Sequence, residues 1–391
     1  MASIAKREDG RWRARYRDSE GREHSRHFPR KVDAQAWLDD VTTDVRTGSY
    51  VDPGRGRITV GEWSKRWLSG QTHLKPSSYE RYAGIVHSHI EPRWHDVMLA
   101  EVSHADIQGW VTTLSTQTSA ASTRKIHRVL SLVLALAVKD GRLARNPAAQ
   151  VNLPRVVTDE RRYLTHAQVL ALAVAAAAPD SVSKYRRRDE RRTDQYRLIV
   201  MFLAYTGVRF GELAALRVRR VDFLRRRALI AESVTLAANK QVWGTPKGHE
   251  RREVPIPRFL IDDLARHVQG KQPDDLLFAG VRAGGALRAH IFRRAAFDRA
   301  AEAIGMPGLH PHELRHTAAS LAIAVGANVK VVQQMLGHKS ATMTLDLYGH
   351  LFPDQLDQIA DALDAAARLA HQHPPAPPTD GDIVQLPGST T

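Results

Sequence analysis

The chain has 391 residues, no cysteine, 43% hydrophobic residues and a formal net charge of +15. That length and hydrophobic content are enough for two or three domains with their own cores, and the charge makes nucleic acid the first partner to consider. The absence of cysteine excludes disulfides, thiolate metal sites and a cysteine nucleophile. Because no apolar run approaches the length of a membrane span, we expect a cytoplasmic protein without a membrane partner.

Two short basic and aromatic runs stand near the start of the chain, at residues 11–17 and 22–28. Their alternation with a period of two, around a turn-like spacer, predicts a β-hairpin. Trp12 and Tyr16 fall on one face of the first run, and its other face carries Arg11, Arg13, Arg15 and Arg17. A helix capped by Asp33 follows, and we expect it to cover the aromatic face.

Helical periodicity begins after residues 54–57, which we interpret as a flexible basic linker. Between about Ile58 and Pro147 the pattern predicts four amphipathic helices in a small bundle, with Thr59 and Ser103 as caps and Pro76 introducing the second helix. The apolar faces comprise Val60, Trp63, Trp67 and Leu68; Tyr79, Tyr82, Ile85 and Val86; Ile107, Trp110, Val111 and Leu114; and Ile126, Val129, Leu130, Val133, Leu134 and Leu136.

The remaining chain predicts helices interrupted by short β-prone segments. Thr165 with Gln168 forms a capping box at the start of this region. The charge run at 181–192 is interpreted as a solvated loop, and Pro246-Lys247-Gly248 predicts a hairpin turn between two β-prone runs. The Pro-rich tail at 373–391 lacks a pattern that could bury a core, which predicts disorder.

These patterns predict a multidomain, mainly α fold with small β-sheets (α+β). The expected divisions are 1–57, a small sheet with a helix and linker; 58–150, a helical bundle; 151–372, a mixed and mostly helical domain; and 373–391, the disordered tail.

Three runs carry side chains suited to phosphodiester chemistry: Thr206–Leu213, His312–His316 and Leu336–His350. Planar guanidinium groups, such as those of Arg209 and Arg315, can hold the non-bridging oxygens of a phosphate that is attacked at phosphorus. A phenol with an ordinary pKa of ~10 is neutral at cellular pH and needs cationic neighbours and a proton acceptor before it can attack. A lysine can protonate the departing 5′-oxygen of DNA.

The order and spacing of these runs resemble the tyrosine recombinases, the phage integrase family. The resemblance implies that Tyr348 is the nucleophile and forms a 3′-phosphotyrosyl link to DNA, that Lys247 is the general acid, and that Glu212 braces the active site. It further implies phosphate-binding and proton-transfer roles for Arg209, Arg315, His312 and His338. His316 and His350 stand beside the motifs, and we interpret them as neighbours that hydrogen-bond to backbone or DNA.

The same resemblance gives the front of the chain a DNA-binding role. Residues 1–57 resemble an arm-binding module whose four arginines face DNA, and residues 58–150 resemble a core-binding domain that forms half of a clamp. The residues of this second domain expected on DNA are Lys75, Ser77, Ser78, Tyr79, Arg81, Thr123, Arg124 and Lys125. The resemblance implies four protomers on two duplexes carrying attachment sites, in the nucleoid, with an excisionase and a host DNA-bending protein as candidate partners. The implied chemistry needs no ATP, metal or other cofactor.

Three alternatives stay open at this point. An Xer-type resolvase of chromosome or plasmid dimers shares the catalytic motifs but usually lacks the basic hairpin. A type IB topoisomerase uses similar chemistry to relax supercoils without strand exchange. A sequence-specific DNA-binding regulator with a decayed active site would form no covalent adduct with DNA.

Overall fold

The computed structural model describes residues 2–17, 21–47, 56–157, 161–178, 190–246, 251–280, 285–352 and 356–372. The chain divides into two compact units: Met1–Glu160 with Thr235–Val242, and Arg161–Val234 with Trp243–Thr391. Within the residues described, no helix is both long and apolar enough to cross a membrane.

The first unit begins with an antiparallel sheet of β1 (Ser3–Lys6), β2 (Trp12–Arg17) and β3 (Glu23–Phe28), in that order. Trp12 lies opposite Phe28, which confirms the predicted hairpin, whereas β1 was not predicted. Helix α1 (Lys31–Thr47) covers the sheet, and its Ala34 and Leu38 form a small core with Ala14 and Tyr16. The alternation of β2 therefore buries its apolar side chains against α1, as expected.

The predicted helix cap at Asp33 is wrong. Helix α1 begins two residues earlier, at Lys31, and Asp33 lies in its first turn. There its carboxylate accepts two hydrogen bonds at 2.8 Å from the guanidinium of Arg30. A carboxylate in the first turn is still favourable because it complements the helix dipole.

A helical bundle follows, as the periodicity predicts, with α2 (Val60–Ser69), α3 (Pro76–Ile85), α4 (Glu91–Trp94), α5 (His104–Gln117) and α6 (Ala120–Lys139). Thr59 and Ser103 accept N-cap hydrogen bonds as predicted. The π-helical segment Val86–Ile90, which was not predicted, joins α3 to α4. The core includes Trp63, whose indole nitrogen donates to the carbonyl of Val133 at 3.0 Å.

Two expectations for this region need correction. Gly56 is buried, and an added side-chain carbon there would meet the Cβ of Ala100 at 3.0 Å, so this end of the expected flexible linker is packed. Residues 51–55 lie outside the described part of the chain. Tyr79, expected on an apolar face, is 41% exposed, although Val86 of the same predicted face is buried.

The second unit contains the helices α7 (His166–Ala177), α8 (Glu190–Thr206), α9 (Phe210–Ala214), α10 (Ile261–His267), α11 (Ala289–Phe292), α12 (Asp298–Ala303), α13 (Glu313–Ala324), α14 (Val329–Leu336), α15 (Ala341–Tyr348) and α16 (Leu356–Gln372). Its core surrounds α8, which packs against α7 and α13 and buries Ile199 and Phe202. The predicted capping box of Thr165 and Gln168 is present.

The strands between α9 and α10 in sequence are β4 (Val221–Asp222), β5 (Arg227–Ile230), β6 (Ser233–Ala237), β7 (Lys240–Gly244) and β8 (Arg252–Pro255), and Thr235–Val242 of β6 and β7 belongs to the first unit. They form one sheet in the order β4-β5-β8 and a second sheet of β6 and β7. Two residues of the expected hairpin turn, Lys247 and Gly248, lie outside the described residues. Of the strands on either side, β7 pairs with β6 and β8 pairs with β5. Ala238 and Asn239, with φ of 46° and 59°, already supply the tight turn that gives β7 its partner.

Other predictions fall on residues that are not described. Lys247 itself lies outside the described residues, as does the tail at 373–391. The same holds for most of the charge run at 181–192, except that residues 190–192 belong to α8 rather than to a loop.

Candidate active site

The first motif places Arg209 at the turn between α8 and α9. Gly207 has a left-handed backbone (φ 65°), and an added side-chain carbon there would come within 2.7 Å of Leu336 Cδ2. Glycine is therefore required both by conformation and by the close approach of the chain. Arg209 then caps α9: its backbone N–H donates to Glu212 at 2.9 Å, and its Nη1 donates to the other carboxylate oxygen at 2.8 Å.

Glu212 is the acidic centre of this region and is only 1% exposed. Besides its bonds from Arg209, it accepts two more from Arg252, at 3.1 and 2.6 Å. Burial would raise the pKa of Glu212, but the hydrogen bonds and charges of Arg252 and Arg209 hold that pKa below its ordinary value. Glu212 is thus ionised and positions an arginine, which is the geometry that the bracing role requires.

Arg315 connects the other two motifs. It extends from α13, is 4% exposed, and donates from Nη1 to the carbonyl of Gly207 at 2.6 Å and from Nη2 to the carbonyl of Leu336. One guanidinium group therefore joins the segment just before Arg209 to the segment just before His338. Burial and the neighbouring charge of Arg209 lower the pKa of Arg315 to about 9.

Gly337 shapes the turn that carries His338. It ends α14 in a left-handed conformation (φ 66°), and an added side-chain carbon would meet the guanidinium side chain of Arg252 at 2.9 Å. Arg252 also donates from Nε to the carbonyl of Met335 at 3.0 Å. Arg252 consequently holds both Glu212 and the turn that precedes His338.

Tyr348 is the last residue of α15, and its side chain is completely buried. Its hydroxyl oxygen lies 2.8 Å from Nδ1 of His316. The ring of His338 lies parallel to the tyrosine ring, with centroids 6.3 Å apart, and its Nδ1 is 3.0 Å from the hydroxyl of Thr344. Burial raises the pKa of Tyr348 to about 12.

The two histidines nearest to Tyr348 are neutral at physiological pH. Burial, followed by the charge of Arg315, lowers the pKa of His338 to about 4. Burial and neighbouring His312 lower the pKa of His316 to about 4 as well. His312 is exposed at the N-cap position of α13, with its ring 5.3 Å from that of His316.

Two residues of this cluster had no assigned role in the sequence interpretation. His316 was interpreted only as a neighbour, although its spacing of four residues from His312 puts both on one face of a helix. Arg252 was not singled out, although strand alternation places it on the same face as the buried Val254. The sequence therefore contained a signal for Arg252, because a charged residue on the inward face of a strand must have a buried partner.

The candidate DNA-binding residues are mostly accessible. In β2 and just before it, Arg11 and Arg17 are exposed, whereas Arg13 and Arg15 are half-buried. In the bundle, the exposed residues are Lys75, Tyr79, Arg81, Arg124 and Lys125, and the half-buried ones are Ser77 and Ser78. Thr123 must be removed from the set because it is buried. Its hydroxyl donates to the carbonyl of Ser119 at 3.2 Å and lies 2.9 Å from the hydroxyl of Thr118.

In the ranges that the structure describes, no group of three or more histidine, aspartate or glutamate residues is arranged to hold a metal ion.

Sequence profiles of known families match three parts of the chain. The profile described as "Phage integrase family" matches residues 162–355, "Phage integrase, N-terminal SAM-like domain" matches 59–115, and "Phage integrase, N-terminal domain" matches 2–47. The first match includes every residue of the cluster around Tyr348.

Individual proteins are similar over much of the chain. The integrase of Mycobacterium phage L5 is 25% identical, over 88% of this chain and 91% of that protein. The tyrosine recombinase XerC of Mycobacterium bovis is 32% identical, over 61% of this chain and 72% of that protein.

Solved structures share the fold. A Tn1549 transposon integrase in complex with circular intermediate DNA has a TM-score of 0.63 at 18% identity, covering 79% of this chain and 99% of that one. A lambda integrase tetramer bound to a Holliday junction has a TM-score of 0.55 at 20% identity, covering 87% of this chain and 96% of that one. The profile matches and the 32% identity to XerC show that the chain belongs to the phage integrase family of tyrosine recombinases.

Proposed function

We propose that this protein is a site-specific DNA integrase in which Tyr348 attacks a phosphate of the DNA backbone and forms a 3′-phosphotyrosyl link. The observation that carries the proposal is the position of Arg315. Its guanidinium bonds to the carbonyls of Gly207 and Leu336, so the three motifs meet at one place in the fold. Residues more than 100 positions apart in sequence are thereby gathered around one phenol.

The guanidinium of Arg315 keeps donors available for a phosphate. A guanidinium carries five N–H groups, and the two carbonyls account for one on each terminal nitrogen. A buried, fixed fork needs little reorganisation when negative charge develops in the transition state, which is how such donors accelerate reactions. Arg209, held by Glu212, would supply the second fork.

The nucleophile is enclosed as the structure stands. Tyr348 has no exposed surface, and its ring packs beside Leu336 and Ile323. A phosphate can be attacked only if the hydroxyl becomes accessible, so DNA binding must uncover it. An enclosed phenol with a pKa of about 12 is unreactive by itself, which protects DNA from unprogrammed cleavage.

The remaining roles follow from the chemistry and the family resemblance. Lys247 would protonate the departing 5′-oxygen, and His312 and His338 would assist phosphate positioning and proton transfer. The bond energy is kept in the phosphotyrosyl ester, so a 5′-hydroxyl from a partner duplex can displace Tyr348 without ATP. Four protomers on two duplexes would carry out strand exchange, with an excisionase and a host DNA-bending protein as candidate accessory partners.

The substrate would be the attachment sites of a prophage or other mobile element. The match of the N-terminal profile to residues 2–47 and the near full-length similarity to the phage L5 integrase support this proposal. The arginines of β2 would then contact arm-type sites, while α3 and α6 of the bundle would contact the crossover core. A second candidate, an Xer-type resolvase, is favoured by the identity to XerC, but that similarity covers only 61% of the chain.

A recombination assay on the natural flanking DNA tests this proposal. A candidate attachment site, sought beside a transfer-RNA gene next to this gene, is placed with its partner site on plasmids and incubated with the full-length protein. We expect joined products with exchanged flanks. Binding without any strand exchange or covalent adduct would instead support a DNA-binding regulator, and exchange between two copies of one short core without arm sites would support a resolvase.

A further inference from the structure

The reaction requires a proton acceptor for the phenol, and the structure points to a specific atom. In the described part of the chain, the basic nitrogen at hydrogen-bond distance from the hydroxyl of Tyr348 is Nδ1 of His316, at 2.8 Å. This distance between nitrogen and oxygen lies within the range expected between a general base and the atom from which it removes a proton. His316 has not been given a catalytic role by the motif comparison above.

We propose that His316 is the general base of the cleavage step and the general acid of the rejoining step. In cleavage, the O–H bond of Tyr348 breaks, its proton moves to Nδ1 of His316, the phenolic oxygen bonds to phosphorus, and the bond from phosphorus to the 5′-oxygen breaks. The 5′-oxygen takes its proton from the separate general acid. In rejoining, the 5′-hydroxyl gives its proton to the group that acted as general acid, its oxygen bonds to phosphorus, and the bond from phosphorus to the phenolic oxygen breaks. The proton on Nδ1 then moves to the departing phenolic oxygen. This inference rests on the proposed function.

The two other histidines are less suited to this role. The Nδ1 of His338 is already within hydrogen-bond distance of the hydroxyl of Thr344, and the ring centroids of His338 and Tyr348 are 6.3 Å apart. The exposed ring of His312 lies 5.3 Å from that of His316. Among the described hydrogen bonds, the hydroxyl of Tyr348 pairs with His316 and not with His312.

The surroundings keep His316 in the form that can accept a proton. A protonated imidazole has no free lone pair, so a general base must be neutral beforehand. Burial is the main cause that keeps His316 neutral, and nearby positive charge adds to it. The titratable and charged groups that face it are His312, Glu313 and Arg315 on its own helix, Arg161 before α7, His338 after α14 and Tyr348 on α15.

The same surroundings make proton transfer from Tyr348 to His316 depend on a bound DNA phosphate. With pKa values of about 12 for Tyr348 and about 4 for His316, the proton stays on the phenol in the structure as described. A phosphate beside Arg315 would add negative charge, which stabilises the imidazolium form of His316. The phenol also becomes more acidic as its oxygen bonds to phosphorus. Proton transfer is thus expected only together with attack on a bound phosphate.

The first test compares His316→Ala and His316→Gln with the unmodified full-length protein on a nicked suicide substrate. Loss of a general base should slow formation of the covalent adduct by about 10²–10⁴-fold. The residual rate should rise with pH, because hydroxide replaces the missing base, while DNA affinity stays unchanged. His290→Ala is the matched control: this exposed histidine lies on α11, it is not among the residues assigned to the site or to DNA, and its loss should leave the cleavage rate unchanged.

The second test separates proton transfer from phosphate binding. In a Tyr348→Phe background, the protein is given DNA with a 3′-p-nitrophenyl phosphate and a 5′-hydroxyl strand. The p-nitrophenolate leaves without needing a proton, so adding His316→Ala should not change the ligation rate. Imidazole added to the single variant His316→Ala should partly restore cleavage.

Three outcomes would overturn the inference. These are normal cleavage by both His316 variants, a loss of nitrophenyl ligation that parallels the loss of cleavage, and a residual cleavage rate that does not depend on pH. If the unmodified protein itself forms no adduct, the proposed function fails first. An adduct that forms equally well with and without His316 contradicts only the role of His316. The glutamine variant keeps a polar side chain of similar size, so folding can be checked by its melting temperature.

Discussion

Replacing Arg252 by alanine should destabilise the catalytic unit and disable its chemistry together. Arg252 donates two hydrogen bonds to Glu212 and one to the carbonyl of Met335, and its side chain is 10% exposed. Removing one partner of a buried ion pair typically costs 3–5 kcal/mol; because Arg209 still pairs with Glu212, we expect the lower end, about 3 kcal/mol. For a domain of roughly 200 residues, this corresponds to a fall of about 6–12 °C in melting temperature.

The cleavage rate of Arg252→Ala should fall by more than partial unfolding of the variant explains. Without Arg252, the carboxylate of Glu212 is free to rotate together with Arg209. The turn before His338 also loses its hydrogen bond at Met335. The phosphate-binding groups should therefore move relative to one another. A misplacement of about 1 Å can cost about 10²-fold in rate. Arg252→Lys should be intermediate, because an ammonium group cannot bond to both carboxylate oxygens and a carbonyl in the same planar arrangement.

The assay combines thermal unfolding by circular dichroism with adduct formation on a suicide substrate well below the melting temperature. Arg227→Ala provides the matched control, because Arg227 is an exposed arginine on β5, the strand that pairs with β8. Its loss should change stability by less than about 0.5 kcal/mol. A melting temperature for Arg252→Ala equal to that of the control, with normal adduct formation, would refute this reasoning.

Three further predictions concern other parts of the chain. Lys247→Ala should cleave ordinary DNA about 10²–10⁴-fold more slowly, and a substrate with a 5′-bridging sulfur should restore the rate because a thiolate leaves without a proton; unrestored cleavage would give Lys247 a structural role. His338 has a folded-state pKa of about 4 against 6.5 ordinarily, so below pH 6.5 the unfolded chain binds the extra proton first. Stability present above pH 6.5 should therefore be lost as the pH falls towards 4, and melting curves should show a smaller loss for His338→Gln; equal losses would contradict the assignment. A protein starting at Thr59 should still cleave core DNA but lose arm-site binding, with the log–log salt slope reduced by about 0.9 per lost phosphate contact; equal salt slopes on arm-containing DNA would exclude the arginines of β2 as contacts.

The residues that meet at the site could be chosen from the sequence because the order and spacing of their motifs resemble those of the tyrosine recombinases. Arg209, Arg315, His338 and Tyr348 were selected in this way, and the fold gathers their segments through the bonds of Arg315. The helices of the bundle were also predictable, because apolar residues at helical spacing mark the face that is buried. Local patterns of this kind need no knowledge of distant contacts.

The features that sequence did not reveal depend on tertiary contacts. The partner of β7 could not be chosen without knowing that Ala238 and Asn239 adopt left-handed conformations, which are unusual for alanine. The bonds of Arg252 to Glu212 join strands and helices 40 residues apart. Thr123 was misplaced for a similar reason: its neighbours Arg124 and Lys125 are exposed, but the helix turns Thr123 towards Thr118.

The measurement that tests the account most directly is covalent capture of DNA by Tyr348→Phe on a nicked suicide substrate, resolved by denaturing electrophoresis. This change removes only the phenolic oxygen and keeps the buried ring, so folding and DNA affinity should remain close to those of the unmodified protein. We expect the unmodified protein to form an adduct that maps to Tyr348 and the variant to form none. A covalent adduct that persists in Tyr348→Phe would show that the nucleophile lies elsewhere and would contradict the proposed mechanism.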